Sequence, residues 1–279
     1  MPVKHAISID LEFWYLGFLS RNIKGWEKFG SNDESIVHSI LSLLERYKVK
    51  ATFFVLGQYA VQHPDIVRQI VSSGHEIATH GYLHKAISFF SPGEFREDVH
   101  RSVGILEDII QKKVIGHRAT GWSLQKENLW ALDILSEEGM LYDSSIAPTI
   151  FHKYGIKNFK TVPHKIDLKE NKSIYEFPLQ VFSISKLRLP SAGGFYLRAL
   201  PFSITKHSIL QSEKKHVSGM VYFHPYDLDI NTPRIKTGFA FKLIRYYNLE
   251  KTEIYLNMLL QQFEFCSIEE IYKYLSTSQ

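Results

Sequence analysis

Apolar and polar positions follow two different periods along this chain, and the periods alternate. Continuous apolar runs, such as HAISIDLEF at 5–13, ATFFVLG at 51–57 and GMVYFHP at 219–225, predict buried strands. Runs with apolar residues three and four apart predict helices, the first two at Ser31 to Tyr47 and at 64–73. Strand and helix alternate four times in the first half, which is typical of stacked βα units around a parallel sheet.

The remaining segments continue this alternation. The run 88–110 predicts a helix in which Ser91 is the N-cap, Pro92 lies in the first turn and Glu94 completes a capping box. Short strands are predicted at EIAT, KVIGHRA and FEFCS, and further helices over 125–138, 201–213, 249–262 and 267–275. Residues 225–248 are expected to form a long loop.

One domain is expected to span residues 1–279, because 44% of the residues are hydrophobic and barrels of this length are usually single domains. Residues 150–200 are rich in Gly, Pro and Lys and predict an irregular insertion. Residues 235–279 are expected to be a C-terminal extension packed on the main fold.

Charge and cysteine content exclude several classes of function. The net charge of +4 is scattered, and the lack of a Lys/Arg run argues against a nucleic-acid partner. The single cysteine, Cys266, excludes an intramolecular disulfide and a cysteine-based zinc site, and it is expected to be a small buried filler. No signal peptide and no apolar run of transmembrane length is visible, so a cytoplasmic location is expected.

The stretch GHEIATHGYLH at 74–84 carries the strongest chemical signal. EIAT is expected to be a short buried strand, so His80 and His84 follow its carboxyl end. Positions four apart share one face of a helical turn, so both imidazoles can reach one metal ion.

Other polar residues also follow predicted strands. Asp10 and Glu12 are two apart and project to one side of the first strand, Arg118 lies in GHRATGWS, and His224 lies in VYFHPYD. The carboxyl ends of parallel strands meet on one face of a barrel. Two histidines with a carboxylate form the ligand set of a catalytic zinc ion, while a second carboxylate and a further histidine can serve as base and acid in amide hydrolysis.

These motifs also resemble those of a known family. GHEIATHGYLH and GHRATGWS are similar to the histidine and arginine motifs of polysaccharide deacetylases of the NodB-homology type, carbohydrate esterase family 4. The chain most closely resembles a subgroup of this family that has a C-terminal extension and is found with exopolysaccharide genes. This resemblance rests on the motifs YDSSIAP, EFP, LPSAGGFYLR, YFHPYDLD and RYYNLEKTE. The resemblance implies an α/β fold, namely a distorted (β/α)7-type barrel of parallel strands with outer helices.

The resemblance also implies a role for each matching residue. These roles are catalytic base for Asp10, metal ligands for Glu12, His80 and His84, positioning of the base for Arg118, and general acid for His224. His75 falls on a structural position of the motif. The family's adjacent acids are here separated by Leu11 and the second is a glutamate, so which acid is ligand and which is base stays open. The family's D-x-x-D-W motif is absent, and Asp143 or Glu176 is the expected substitute for its aspartate, which tunes the acid histidine.

Five residues are candidates for contact with a sugar. Trp14, Trp122 and Tyr196 offer rings that stack on sugars, with core packing as the alternative for each. Gly193 and Gly194 either let the backbone approach a sugar or form a tight turn.

The expected function is metal-dependent hydrolysis of the N-acetyl amide of an amino sugar in a polysaccharide or its precursor. Zn²⁺ is the expected ion, with Co²⁺, Ni²⁺ or Mn²⁺ as alternatives, and metal-free catalysis is a further possibility. The functional alternatives are hydrolysis of another amide, in a lipid-linked formamido sugar or a cyclic amide, and sugar binding without catalysis. The expected partner is an N-acetylated saccharide, and the oligomeric state is undetermined.

Overall fold

The computed structural model describes residues 3–30 and 33–277. It confirms the predicted α/β architecture, in which a curled, mostly parallel sheet forms a half-barrel with helices outside. The strands are β1 (His5–Leu11), β2 (Thr52–Val55), β3 (Glu76–Thr79), β4 (Gly116–His117), β5 (Tyr142–Asp143), β6 (His164–Asp167), β7 (Ser173–Glu176), β8 (Val181–Ile184), β9 (Leu187–Pro190), β10 (Met220–Phe223) and β11 (Phe265–Cys266). The main sheet has the order β10-β1-β2-β3-β4-β5-β7-β6, with β11 paired to β1, while β8 and β9 form a separate hairpin.

The helices fill the connections between these strands. They are α1 (Leu16–Leu19), α2 (Asp33–Arg46), α3 (Gly57–Gln62), α4 (Pro64–Ser72), α5 (Pro92–Ile110), α6 (Trp130–Glu137), α7 (Gly194–Ala199), α8 (Phe202–Glu213), α9 (Phe239–Tyr246), α10 (Glu250–Gln262) and α11 (Ile268–Thr277). Ser31 and Asn32, with which the first predicted helix begins, lie outside the described residues. No helix in the described part of the chain is both long enough and apolar enough to cross a membrane.

Strand β1 is central because all seven of its residues are buried and it pairs in parallel with β2, β10 and β11. Three of its odd-numbered residues, Ile7, Ile9 and Leu11, join the main hydrophobic core. The intervening residues include Ser8 and Asp10, which both bond to the buried guanidinium of Arg118. The alternation of side chains along a strand therefore separates an apolar face from a polar one.

Several predicted elements are confirmed, and others need correction. The capping box of Ser91 and Glu94 at the start of α5 is present, and Cys266 is buried in β11. The predicted loop at 225–248 contains α9, and the predicted glycine loop continues into α7. Helix α9 departs from the usual pattern of a surface helix, because Phe239, Leu243 and Ile244 are exposed whereas Arg245 is buried.

Candidate active site

The carboxyl ends of β1 and β3 bring together one carboxylate and two imidazoles, which we call the two-histidine corner (Glu12, His80 and His84). Glu12 Oε2 lies 2.7 Å from His84 Nε2 and 3.5 Å from His80 Nε2. One ligand atom from each residue lies within 4.8 Å of the others. Glu12 and His80 are buried, whereas the side chain of His84 is 20% exposed, so this corner opens to solvent along His84.

The loop between the two histidines is held by helix α5. The backbone N–H groups of Tyr82 and Leu83 donate to the carboxylate of Asp98 at 2.8 and 2.9 Å. Gly81 has a φ of +75°, and a Cβ at this position would lie 2.8 Å from Asp98 Oδ2. A glycine is therefore required for the loop to reach this carboxylate. On the other side, the Nδ1–H of His80 donates to the carbonyl oxygen of Arg118 at 2.8 Å, which leaves Nε2 facing Glu12.

The two-histidine corner has the chemistry of a cation site. Glu12 Oε2 is buried and has no hydrogen-bond partner among the described residues, although two imidazole nitrogens face it. Burial raises the pKa of Glu12, but the charge of His84 and the close approach of the His80 and His84 nitrogens outweigh burial and hold the pKa well below its ordinary value. An ionised carboxylate with two imidazoles is a donor set that suits Zn²⁺ and other divalent transition metals. These residues therefore fit the metal that the sequence predicts.

Asp10 lies beside this corner and is held by Arg118. Arg118 Nη1 donates to Asp10 Oδ1 at 2.6 Å, and Nη2 donates to Ser144 Oγ at 3.0 Å. The guanidinium is fully buried and lies 3.9 Å from the ring centroid of Phe54. Because a buried cation needs a compensating charge, this pair locks the Asp10 carboxylate in one orientation. Its second oxygen, Oδ2, is directed toward His224, 3.9 Å from Nε2.

His224 forms the opposite side of the site, and we call it, together with Asp227 and Arg198, the His224 corner. Its Nε2 lies 3.9 Å from Asp10 and 4.0 Å from Glu12, while its Nδ1 lies 2.9 Å from Asp227 Oδ2. Asp227 in turn bonds to Arg198 Nη1 at 2.5 Å. Burial lowers the pKa of His224, but the bond and charge of Asp227, followed by Glu12 and Asp10, raise it above its ordinary value.

The C-terminal segment is attached to the His224 corner. Arg198 also donates to the carbonyl oxygens of Ile244 and Tyr247, at 2.8 and 2.9 Å, where α9 ends. The guanidinium of Arg245, on the buried face of α9, lies 3.9 Å from the ring centroid of Tyr226. Tyr226 stacks on the imidazole of His224 at 4.5 Å and donates its hydroxyl to Glu12 at 3.2 Å. Helix α9 therefore contacts the His224 corner directly through Arg198 and reaches the two-histidine corner through Tyr226.

The expected substitutes for the missing aspartate, Asp143 and Glu176, belong to another cluster, and this expectation was wrong. Asp143 Oδ1 bonds to His117 Nδ1 at 2.7 Å, and Glu176 Oε1 accepts the N–H of Ile146 at 2.9 Å. Burial and the neighbouring Asp143 raise the pKa of Glu176 well above its ordinary value. The carboxylate that orients His224 is Asp227 instead.

Gly193 and Gly194 lie next to the His224 corner. Gly193 pairs with Tyr222, and a Cβ on Gly193 would lie 1.9 Å from the Tyr222 ring. Gly194 has a φ of +48°, and its Cβ would lie 3.7 Å from Cε1 of His224. These glycines let the backbone approach Tyr222 and His224, while their contact with a sugar stays a prediction. The Tyr196 ring is partly buried, and its hydroxyl donates to the carbonyl oxygen of Phe151 at 3.1 Å.

The two tryptophans proposed to stack on sugars are packed in the protein interior. Trp122 is 2% exposed, and its ring lies 4.4 Å from the guanidinium carbon of Arg118. Trp14 is 5% exposed and packs in a cluster with Phe18 and Tyr246. For both residues the structure shows the core-packing alternative, because a buried ring has no free face for a ligand.

Sequence reasoning missed three residues that shape the site: Asp227, Arg198 and Asp98. Asp227 carried a local signal, since it follows His224 by three residues in HPYD and a turn brings such positions together. Arg198 and Asp98 are separated from their partners by 29 and 16 residues, and no local pattern marks them.

Comparisons with known proteins show which families and folds this chain resembles. Residues 26–136 match the family model for polysaccharide deacetylase, and residues 144–273 match a domain of unknown function, DUF3473. A chitooligosaccharide deacetylase of Bradyrhizobium sp. (strain ANU 289) is 28% identical over 97 residues, which cover 35% of this chain and 42% of that protein. A peptidoglycan-N-acetylglucosamine deacetylase of Bacillus cereus is 36% identical over 74 residues, which cover 26% of this chain and 27% of that protein.

The similarity in fold extends over almost the whole chain. A crystal structure from Mycobacterium smegmatis, described as that of a polysaccharide deacetylase, superposes with a TM-score of 0.65 at 19% identity. The match covers 99% of this chain and 94% of that one. By contrast, the matches in sequence span less than half the length of the two curated relatives named above.

Proposed function

Because this chain carries a polysaccharide deacetylase domain of the NodB-homology type, we propose that it hydrolyses the N-acetyl amide of an amino sugar in a polysaccharide or its precursor. One observation carries the proposal: the two-histidine corner, the Asp10–Arg118 pair and the His224 corner lie next to one another, with Asp10 and Glu12 both about 4 Å from His224 Nε2. The names of the chitooligosaccharide and peptidoglycan deacetylases support the same chemistry.

Asp10 and His224 each carry out one of the two proton transfers. Asp10 Oδ1 is engaged by Arg118, so Oδ2 is the atom that takes a proton from the attacking water as its oxygen bonds to the acetyl carbon. His224 presents Nε2 to the same space because Asp227 holds Nδ1, and it donates a proton to the sugar nitrogen as the C–N bond breaks. The products are acetate and the free amine.

A divalent metal at Glu12, His80 and His84 would polarise the amide carbonyl and lower the pKa of a water molecule. The buried Glu12 Oε2, which faces two imidazole nitrogens, supports a metal requirement, and Zn²⁺ is the ion we propose.

The proposal is tested with a panel of N-acetylated chitooligosaccharides, peptidoglycan fragments, formamido sugars and cyclic amides, with acetate, formate and ammonia measured separately. We expect acetate from an N-acetylated saccharide, loss of its release in Asp10→Asn, and metal content by elemental analysis that is lost in His80→Ala. Saccharide binding that survives Asp10→Asn, with no acyl group released by the unmodified protein, would instead identify a sugar-binding protein.

A cytoplasmic location and a role in exopolysaccharide synthesis remain predictions of this proposal. Cell fractionation tests the first, and analysis of the acetyl content of the secreted polysaccharide in a deletion strain tests the second.

A further inference from the structure

Helix α9 presents an apolar surface to solvent. The exposed fractions are 81% for Phe239, 39% for Leu243, 45% for Ile244 and 43% for Tyr247, which directly follows the helix. With 3.6 residues per turn, these positions lie within an arc of about 140° on one side of the helix. A surface helix ordinarily directs polar residues outward, so this arrangement is the reverse of the usual one.

The helix is held firmly on the fold by its opposite side. Arg245 and Tyr246 are buried, and Arg198 bonds to the carbonyl oxygen of Ile244. Phe241 packs edge-on against Phe18 at 5.2 Å between ring centroids. The outward apolar surface is thus presented by a fixed element.

Basic residues border this surface. Residues 230–249 contain no acidic residue and four basic ones, of which Arg234, Lys236 and Lys242 are exposed. The guanidinium of Arg21, also exposed, lies 4.5 Å from the ring centroid of Phe241. Lys242 lies on α9 itself, Arg234 and Lys236 lie within five residues before it, and Arg21 reaches it on its packed side through Phe241; we call these four residues its cationic border.

A fixed helix with an apolar outer face and a cationic border has the chemistry of an interfacial helix that lies in the headgroup region of an anionic bilayer. A second copy of the chain is a poorer occupant, since a twofold contact through this surface would place the same cations opposite one another. We propose that α9, with Arg21, Arg234, Lys236 and Lys242, is a docking surface for an anionic lipid bilayer. This inference does not depend on the deacetylation reaction, although α9 adjoins the site through Arg245 and Tyr226.

The test is co-sedimentation of the full chain with vesicles of phosphatidylcholine alone and of phosphatidylcholine mixed with phosphatidylglycerol. We expect binding to the anionic vesicles that weakens as salt is raised, because the ionic contribution is screened. The variant Phe239→Ser/Leu243→Ser should bind these vesicles about 10- to 100-fold more weakly, from the apolar area removed. The control Phe89→Ser/Ile254→Ser removes comparably exposed apolar residues elsewhere and should bind as the unmodified chain does.

A second variant, Lys236→Glu/Lys242→Glu, retains the apolar surface and should lose only the preference for anionic vesicles. Circular dichroism of each variant checks that the chain has folded. The proposal is overturned if the unmodified chain does not sediment with anionic vesicles, if it binds both kinds equally, or if the α9 variant and its control behave alike. A chain that binds no vesicles, but is a dimer that the α9 substitutions convert to a monomer by analytical ultracentrifugation, would make this surface a contact between copies.

Discussion

The two-histidine corner and the His224 corner face each other across the site but are built differently. In the first, His80 and His84 come from one short stretch, and the loop between them is held by Asp98 from the next helix. In the second, His224 is oriented by Asp227, which is held by Arg198, and Arg198 is also bonded to the end of α9.

This difference shows how the two family matches relate to the site. His80, His84 and Arg118 lie in the region that matches polysaccharide deacetylase, whereas Arg198, His224 and Asp227 lie in the region that matches DUF3473. Asp10 and Glu12 precede both regions. Asp10 bonds to Arg118 and Glu12 lies 2.7 Å from His84, while both carboxylates lie 3.9 and 4.0 Å from His224, so they link the two regions in one site. The region that matches DUF3473 therefore contributes the imidazole of His224 and the two residues that orient it, Asp227 and Arg198.

The largest effects are expected from removing one imidazole of each corner. His84→Ala and His224→Ala should each lower kcat for acetate release by about 10³-fold, because one contributes to metal binding and the other donates a proton. Metal content should distinguish the two variants, since only His84→Ala should lose the ion. His207→Ala, on the exposed side of α8, is the control with unchanged activity. Equal metal loss in both histidine variants would contradict the separation of the corners.

Arg198→Ala should weaken the His224 corner while leaving the metal in place. Because Asp227 would remain buried without its cation, the free energy of unfolding should fall by about 3–5 kcal/mol, measured by urea denaturation. Arg96→Ala removes the ion pairs of an exposed arginine with Glu137 and Glu138 and should lower the free energy of unfolding far less. Arg198→Lys should recover part of kcat if the residue acts by orienting His224, whereas full activity in Arg198→Ala would show that Asp227 needs no support.

Asp98→Asn should loosen the two-histidine corner alone. The amide retains one acceptor where Tyr82 and Leu83 require two, so metal affinity should fall by about 10- to 100-fold in a competition titration with a chelator. Asp108→Asn, exposed on the same helix, is the matched control. Unchanged metal affinity in Asp98→Asn would mean that the loop holds its shape without this carboxylate.

The smallest effect concerns Glu76, a buried carboxylate away from the site that links β3 to α11. Glu76 on β3 accepts hydrogen bonds from Tyr142 Oη at 2.6 Å and from the N–H of Glu269 in α11 at 3.0 Å. Burial raises its pKa from 4.5 to about 7. Because the folded-state pKa is the higher one, its contribution to stability is complete below pH 4.5 and is lost as pH rises through 7.

This loss should amount to at most about 3 kcal/mol of unfolding free energy, measured by denaturation at a series of pH values. Glu76→Gln should flatten the profile over this interval. A profile that is unchanged in Glu76→Gln would assign the pH dependence to another group.

Local sequence patterns were sufficient to predict the helices and strands with regular periods and the polar residues that directly follow strands. The positions of Asp10, Glu12, His80, Arg118 and His224 at one edge of the sheet follow from parallel strands, whose carboxyl ends meet there. The capping box at Ser91 was equally predictable, because its partners are three residues apart.

Other features depended on contacts between distant parts of the chain. Asp227, and not Asp143 or Glu176, orients His224 because of the turn after β10 and the buried Arg198. Trp14 and Trp122 are buried because of the packing around α9 and Arg118.

The sequence by itself determined the α/β alternation and the kinds of reactive side chain that collect at the strand ends, because strand and helix periods and strand polarity are local properties. Only the tertiary structure decided that Glu12 faces the histidine pair, that Asp10 faces Arg118 and that α9 supports His224. These arrangements depend on where buried charges find their partners, and those partners lie on segments that come together only when the chain folds.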